Sequence, residues 1–145
     1  MTLPTSREIN PHRDPGDGAE ACAHFLGRSL EEAEALFRES SIYYQSDLMW
    51  MGPVAFRYYL PAVAQYIYSD SAAGEYDFIA HFAGTLEFRL EHESQELIPV
   101  ADQLVALSGY IVEHWAKFEA ADDAYGDVCG RFQAIQRAFV RLTGK

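Results

Sequence analysis

The sequence predicts an all-α fold, a compact single-domain helical bundle whose middle helix is broken by proline. Three observations carry that expectation. Apolar residues recur at three- and four-residue spacing in three long stretches: Phe78, Ile79, Phe82, Leu86 and Leu90; Leu104, Leu107, Ile111, Trp115 and Phe118; and Val128, Phe132, Ile135, Phe139 and Leu142. That period gathers side chains on one face of a helix, and facing stripes imply a bundle. Ser29 and Glu32 form an S-x-x-E capping box, which marks a helix start. Finally, 145 residues that are 49% hydrophobic, with 9 Phe and 9 Tyr, suffice for one core and exclude a disordered chain.

Residues 1–18 carry Pro4, Pro11, Pro15, Gly16 and Gly18 among polar residues and are expected to form a flexible N-terminal arm, with residues 19–145 as the single helical domain. Such an arm buries little, so deleting residues 1–15 should leave the melting temperature nearly unchanged. A short helix over 19–26 closes at Gly27, where glycine accepts a left-handed cap. The capping box then starts a helix over 30–39, with Leu30, Ala33, Leu36 and Phe37 at helical spacing. Residues 40–52 are expected to be a loop with a short turn capped by Asp47, since Ile42, Tyr43 and Tyr44 suit a strand better than a helix. Gly52-Pro53 marks the next helix start, and Pro61 breaks or kinks that run. Helices over 76–91 and from Pro99 to about residue 119 follow, and the last begins after Asp127, with Gly144 beyond its end.

Eleven bases against 22 acids leave a formal net charge of -11. A field of that sign repels nucleic acid and anionic membrane surfaces and favours a basic protein partner. Cys22 and Cys129 stand too far apart for a metal-ligand pair and are expected to be reduced. No secretory signal opens the chain, and its least polar run, 58–68, falls short of the ~20 residues that span a membrane. A cytoplasmic address is expected.

Catalytic signatures are absent: there is no H-E-x-x-H, G-x-S-x-G, P-loop or G-x-G-x-x-G pattern. No structural metal, cofactor or catalytic residue is therefore expected. Glu20 with His24, and Asp77 with His81, share helix faces at four-residue spacing, an arrangement more often a surface pair than a catalytic dyad. Arg131, Arg137, Arg141 and Lys145 can grip an anion, but they also suit the negative end of a final helix and acids on neighbouring helices.

The densest signal is the aromatic run from Asp47 to Ala62. On a helix starting at Pro53, Phe56, Tyr59 and Leu60 share a face and should be core, leaving Arg57 and Tyr58 nearer solvent. Trp50, Arg57 and Tyr58 are accordingly the candidate binding residues. Phe56-Arg57-Tyr58-Tyr59-Leu60-Pro61-Ala62 resembles the F-R-[FY]-Y-L-P-A phrase of a family of uncharacterised bacterial proteins, and the Gly27 to Ala33 helix start is similar to one upstream of that phrase. The family has no established activity, so the resemblance implies no site residues. The sequence thus points to a non-catalytic protein-binding module, with small acidic immunity-type proteins as the analogy. Its rival is a small-ligand binder or enzyme with a pocket near Trp50, Arg57 and Tyr58, drawing also on His81.

Overall fold

A computed structural model describes residues 2–120 and 125–144, and every regular element among them is helical, so the chain is all-α. No helix among the described residues is long and apolar enough to cross a membrane. The helices group into two units, Met1–Ser71 and Ala72–Lys145.

The first unit contains α1 (Ser6–Ile9), α2 (Asp17–Phe25), α3 (Leu30–Trp50) and α4 (Pro53–Tyr68). The described part of the expected arm, residues 2–18, is not the loose segment that its proline and glycine content predicts. Thr5 and Glu8 form a capping box: the Glu8 N–H donates to the Thr5 hydroxyl at 3.1 Å and the Thr5 N–H to the Glu8 carboxylate at 2.8 Å. That box fixes a short helix which delivers Ile9 into the core, fully buried, with α1 against α2 and α4. The Gly52 N–H donates to the Ile9 carbonyl at 2.9 Å, an approach only glycine permits, because a Cβ there would lie 2.4 Å from the Glu8 carbonyl oxygen. Deleting residues 1–15 should therefore lower stability by about 2 kcal/mol or more, the value of burying one isoleucine. Thermal unfolding followed by circular dichroism checks this, and an unchanged midpoint would restore the loose arm.

Gly27 closes α2 with φ +80°, as expected, and Ser29 and Glu32 open α3 with the reciprocal bonds of a capping box. The predicted loop over 40–52 is instead mostly helix. Ser40 departs from helical geometry (φ -159°, ψ 79°) and bends α3, after which the helix resumes and buries Ser41, Asp47 and Leu48. The poor helix propensity of Ile42, Tyr43 and Tyr44 amounts to a few tenths of a kcal/mol each, less than one buried leucine returns.

The predicted break at Pro61 is likewise absent: α4 runs unbroken from Pro53, at its first position, to Tyr68. Proline there costs about 3 kcal/mol by removing one backbone bond. Phe56, Tyr59, Leu60, Val63, Tyr66 and Ile67 are all buried from this helix, at roughly 1.5–3 kcal/mol each for the large apolar side chains, and they outweigh it.

The second unit contains α5 (Tyr76–Leu97), α6 (Ala101–Glu113) and α7 (Val128–Leu142). Pro99 sits in a 3-10 turn, Ile98–Val100, before α6, and the stretch expected to extend α6 is a second 3-10 turn, Trp115–Phe118. Asp127 caps α7 by accepting the Gly130 N–H at 2.9 Å. The three stripes face inward: Phe78, Ile79, Phe82 and Leu86, Leu104, Leu107, Ile111 and Phe118, and Val128, Phe132, Ile135 and Phe139 are buried. Leu90, Trp115 and Leu142 are half-buried. Arg89 is 2% exposed and pairs with Glu93 one turn later. Burial pulls its pKa below the ordinary arginine value, opposed by the Glu93 charge.

Candidate functional site

Two devices hold α2 against α3 and α4. The buried Tyr59 hydroxyl reaches the carbonyls of Phe25 at 2.8 Å and Arg28 at 2.9 Å, tying α4 to the end of α2. Burial pushes this phenol's pKa up to about 12, so it remains a donor throughout the neutral range. The second device is a carboxylate and a histidine from different helices. His24 Nδ1 lies 2.7 Å from Asp47 Oδ2, and Asp47 is only 2% exposed.

Asp47 is pulled in two directions. Burial raises its pKa, the His24 bond and charge oppose that rise, and Glu20 and Asp17 reinforce it. The net shift is upward, so the folded state holds the proton more tightly than the unfolded chain. Folding stability therefore falls as pH rises from the unfolded value of about 3.8 through the raised folded value. Relative to wild type, Asp47→Asn should lack this decline in urea titrations carried upward in pH from the unfolded carboxyl value; parallel curves would show that Asp47 is not desolvated as described.

The other edge of His24 faces an exposed phenol. Tyr43 Oη lies 3.2 Å from His24 Nε2. Tyr44 stands edge-on to both rings, 5.2 Å from His24 and 4.9 Å from Tyr43 between centroids. Asp47, His24 and Tyr43 therefore form a continuous chain running from the protein interior to its surface.

Tyr43, Asp47 and Trp50 stand four and three residues apart on α3 and so share one helical stripe. Tyr43 is 54% and Trp50 51% exposed. Trp50 borders a groove of about 290 Å³ lined also by Asn10, Pro11, His12, Asp14, Asp17 and Gly18. The turn behind it is rigidified by Asn10 and Asp14: the Asn10 amide donates to the Asp14 carbonyl at 2.8 Å, and the Asp14 carboxylate accepts the Gly18 N–H at 2.8 Å. The α2 helix thus borders both ends of the stripe, with Asp17 at Trp50 and His24 at Tyr43, and exposed Glu20 between them in sequence.

Of the candidate residues drawn from the sequence, Trp50 lies in this groove, whereas Arg57 and Tyr58 are half-buried on α4 and are not among the residues lining it. Phe56, Tyr59 and Leu60 form the buried face of α4, as their spacing predicts. His24 pairs with Asp47, 23 residues away, and His81 Nδ1 lies 2.7 Å from the Asp77 backbone carbonyl, while the Asp77 carboxylate accepts the Tyr125 hydroxyl at 2.9 Å. The four-residue histidine pairs are therefore not dyads. Arg131 makes a two-bond pair with Glu87 of α5, and its pKa rises through those bonds. Arg137 and Arg141 border a shallow surface groove with Gln136 and Val140, and Lys145 lies outside the described residues. Among the described residues no three His, Cys, Asp or Glu side chains converge as a metal site, and both cysteines are unpaired thiols. Comparison with protein-family models, with curated proteins and with solved structures finds no match to the chain.

Proposed function

We propose that the protein is a non-catalytic binding module for a basic protein segment, docked on the α2 and α3 face that bears Tyr43 and Trp50. The observation that carries this reading is the pair of half-exposed aromatic rings on one stripe of α3, with Asp14 and Asp17 lining the Trp50 groove. Large aromatics supply most of the energy of many protein interfaces, and a ring beside carboxylates suits a lysine or arginine by cation–π contact and charge together. The net charge of -11 steers a basic partner to the whole molecule.

The rival reading needs an enclosed cavity with converging polar groups. The Trp50 groove, at about 290 Å³, sits at the lower edge of ligand pockets and is lined without Arg57 or Tyr58, which favours docking over enclosure. The F-R-Y-Y-L-P-A phrase serves the scaffold in this reading, since Phe56, Tyr59, Leu60 and Ala62 are buried.

The test is a native pull-down from lysate with wild-type and Trp50→Ala baits, read by mass spectrometry for both proteins and retained small molecules. The expected result is a basic protein held by wild type, lost with Trp50→Ala and weakened by salt. A retained small molecule, or a partner indifferent to both Trp50 and salt, would overturn the proposal.

A further inference from the structure

The chain of groups from Asp47 through His24 to Tyr43 has a chemical consequence independent of docking. Asp47 is buried, and its Oδ2 accepts at 2.7 Å from Nδ1 of His24. In a neutral imidazole this places the ring proton on Nδ1 and leaves Nε2 with a free lone pair. That nitrogen faces the Tyr43 hydroxyl at 3.2 Å, within reach for proton transfer. Tyr44 stands edge-on to both rings, and Tyr43 is exposed to an incoming reagent.

We propose that Tyr43 is an activated phenol, a covalent acceptor site for uncharged acyl-type electrophiles, with His24 as its general base and Asp47 as the residue that positions His24. In the step, Tyr43 Oη attacks the electrophilic centre and a new bond from oxygen to that centre forms. The bond to the leaving group breaks with its electron pair, and the phenolic proton passes to His24 Nε2. The resulting imidazolium is held by the Asp47 carboxylate until it returns the proton to water. Nucleophile, base and orienting carboxylate stand in the order used by hydroxyl nucleophiles in covalent catalysis. The net charge of -11 disfavours the approach of anionic donors such as phosphoryl compounds, which leaves the neutral acyl class.

An uncharged arylsulfonyl fluoride is a suitable probe, because its reaction forms an oxygen–sulfur bond and releases fluoride. Peptide mass spectrometry would give the labelling rate of Tyr43 against that of Tyr68, an exposed tyrosine (38%) that serves as internal reference. Tyr43 should label at least about tenfold faster, a modest share of the 10²–10⁴ typical of a positioned general base. His24→Gly should remove that advantage and added imidazole should restore it. Asp47→Asn should also lose it, with the nitrogen shifts of the His24 ring moving from the Nδ1–H to the Nε2–H form, a signature that a purely structural role for Asp47 would not produce. A carboxylate-bearing sulfonyl fluoride should react more slowly than the neutral one at Tyr43.

Equal rates at Tyr43 and Tyr68 would overturn the proposal, as would labelling of Tyr43 that is unaffected by loss of His24. Equal rates for neutral and anionic probes would overturn the donor class. Should His24→Gly lose its helical spectrum, the wild-type ring decides: an Nε2–H tautomer excludes His24 as the base, and the Nδ1–H form with a fast Tyr43 supports it.

Discussion

Phe132→Ala should destabilise the protein by about 3–5 kcal/mol, the range for removing a fully buried aromatic ring. Phe132 is fully buried on the inner stripe of α7, and its ring centroid lies 6.5 Å from that of Phe82 on α5. The cost has two parts, the transfer of the lost apolar atoms and the cavity left when α5 and α7 relax only partly. Ile135→Ala, one turn further along the same buried stripe, should cost about 2–5 kcal/mol. Gln133, between them in sequence, is exposed and its alanine variant should fall within about 0.5 kcal/mol of wild type. Urea unfolding of the three variants checks the face assignment, and a Phe132→Ala cost no larger than that of Gln133→Ala would show that α7 turns a different face inward.

What the sequence made legible was the part of the fold written in local patterns. The α7 stripe, the Ser29 capping box and the Gly27 cap depend on neighbours three or four residues away, and each forms as its spacing predicts. One such pattern went unread: Thr5 and Glu8 form the same S/T-x-x-E box, and the prolines around it masked a helix that anchors Ile9. Pro61 and the 40–52 segment show a second kind of loss. Intrinsic propensity argued against helix in both, and tertiary burial of residues such as Leu48 and Leu60 overrode it.

The candidate site was hidden for a different reason. Asp47 and His24 are 23 residues apart, and nothing local distinguishes that carboxylate from the closer Glu20 as partner of the histidine. Asp47 meets α2 from the part of α3 that follows the bend at Ser40, a segment whose composition predicts a loop. The burial of Arg89 beside Glu93 is likewise not legible locally, because an arginine on an amphipathic helix is normally solvated. Of the candidate binding residues Trp50, Arg57 and Tyr58, Trp50 alone falls on the site, for it ends α3 beside the groove bounded by Asp14 and Asp17.

Phe56→Ala and Arg57→Ala should separate scaffold from surface on adjacent positions of α4. Phe56 is fully buried and shares its face with Leu60, one turn on, and its truncation should cost about 3–5 kcal/mol. Arg57 is turned about 100° away by the helical period and is half-buried, so its truncation should cost about 1 kcal/mol or less. The two variants differ by a single step along one helix, and therefore share the same exposure to Pro61 and to any general weakness of α4. A guanidinium contributes to an interface through planar, paired hydrogen bonds and ring stacking, so if Arg57 takes part in docking its loss should weaken the partner captured through Trp50 by tenfold or more, about 1.4 kcal/mol at room temperature. Phe56→Ala, examined below its melting transition, should leave that affinity within a few-fold of wild type, because its side chain reaches no surface. Melting temperature and partner affinity measured together decide the matter. An Arg57→Ala protein that melts well below wild type with unaltered affinity assigns the arginine to an internal ion pair of the scaffold, and docking then rests on Tyr43 and Trp50 without it.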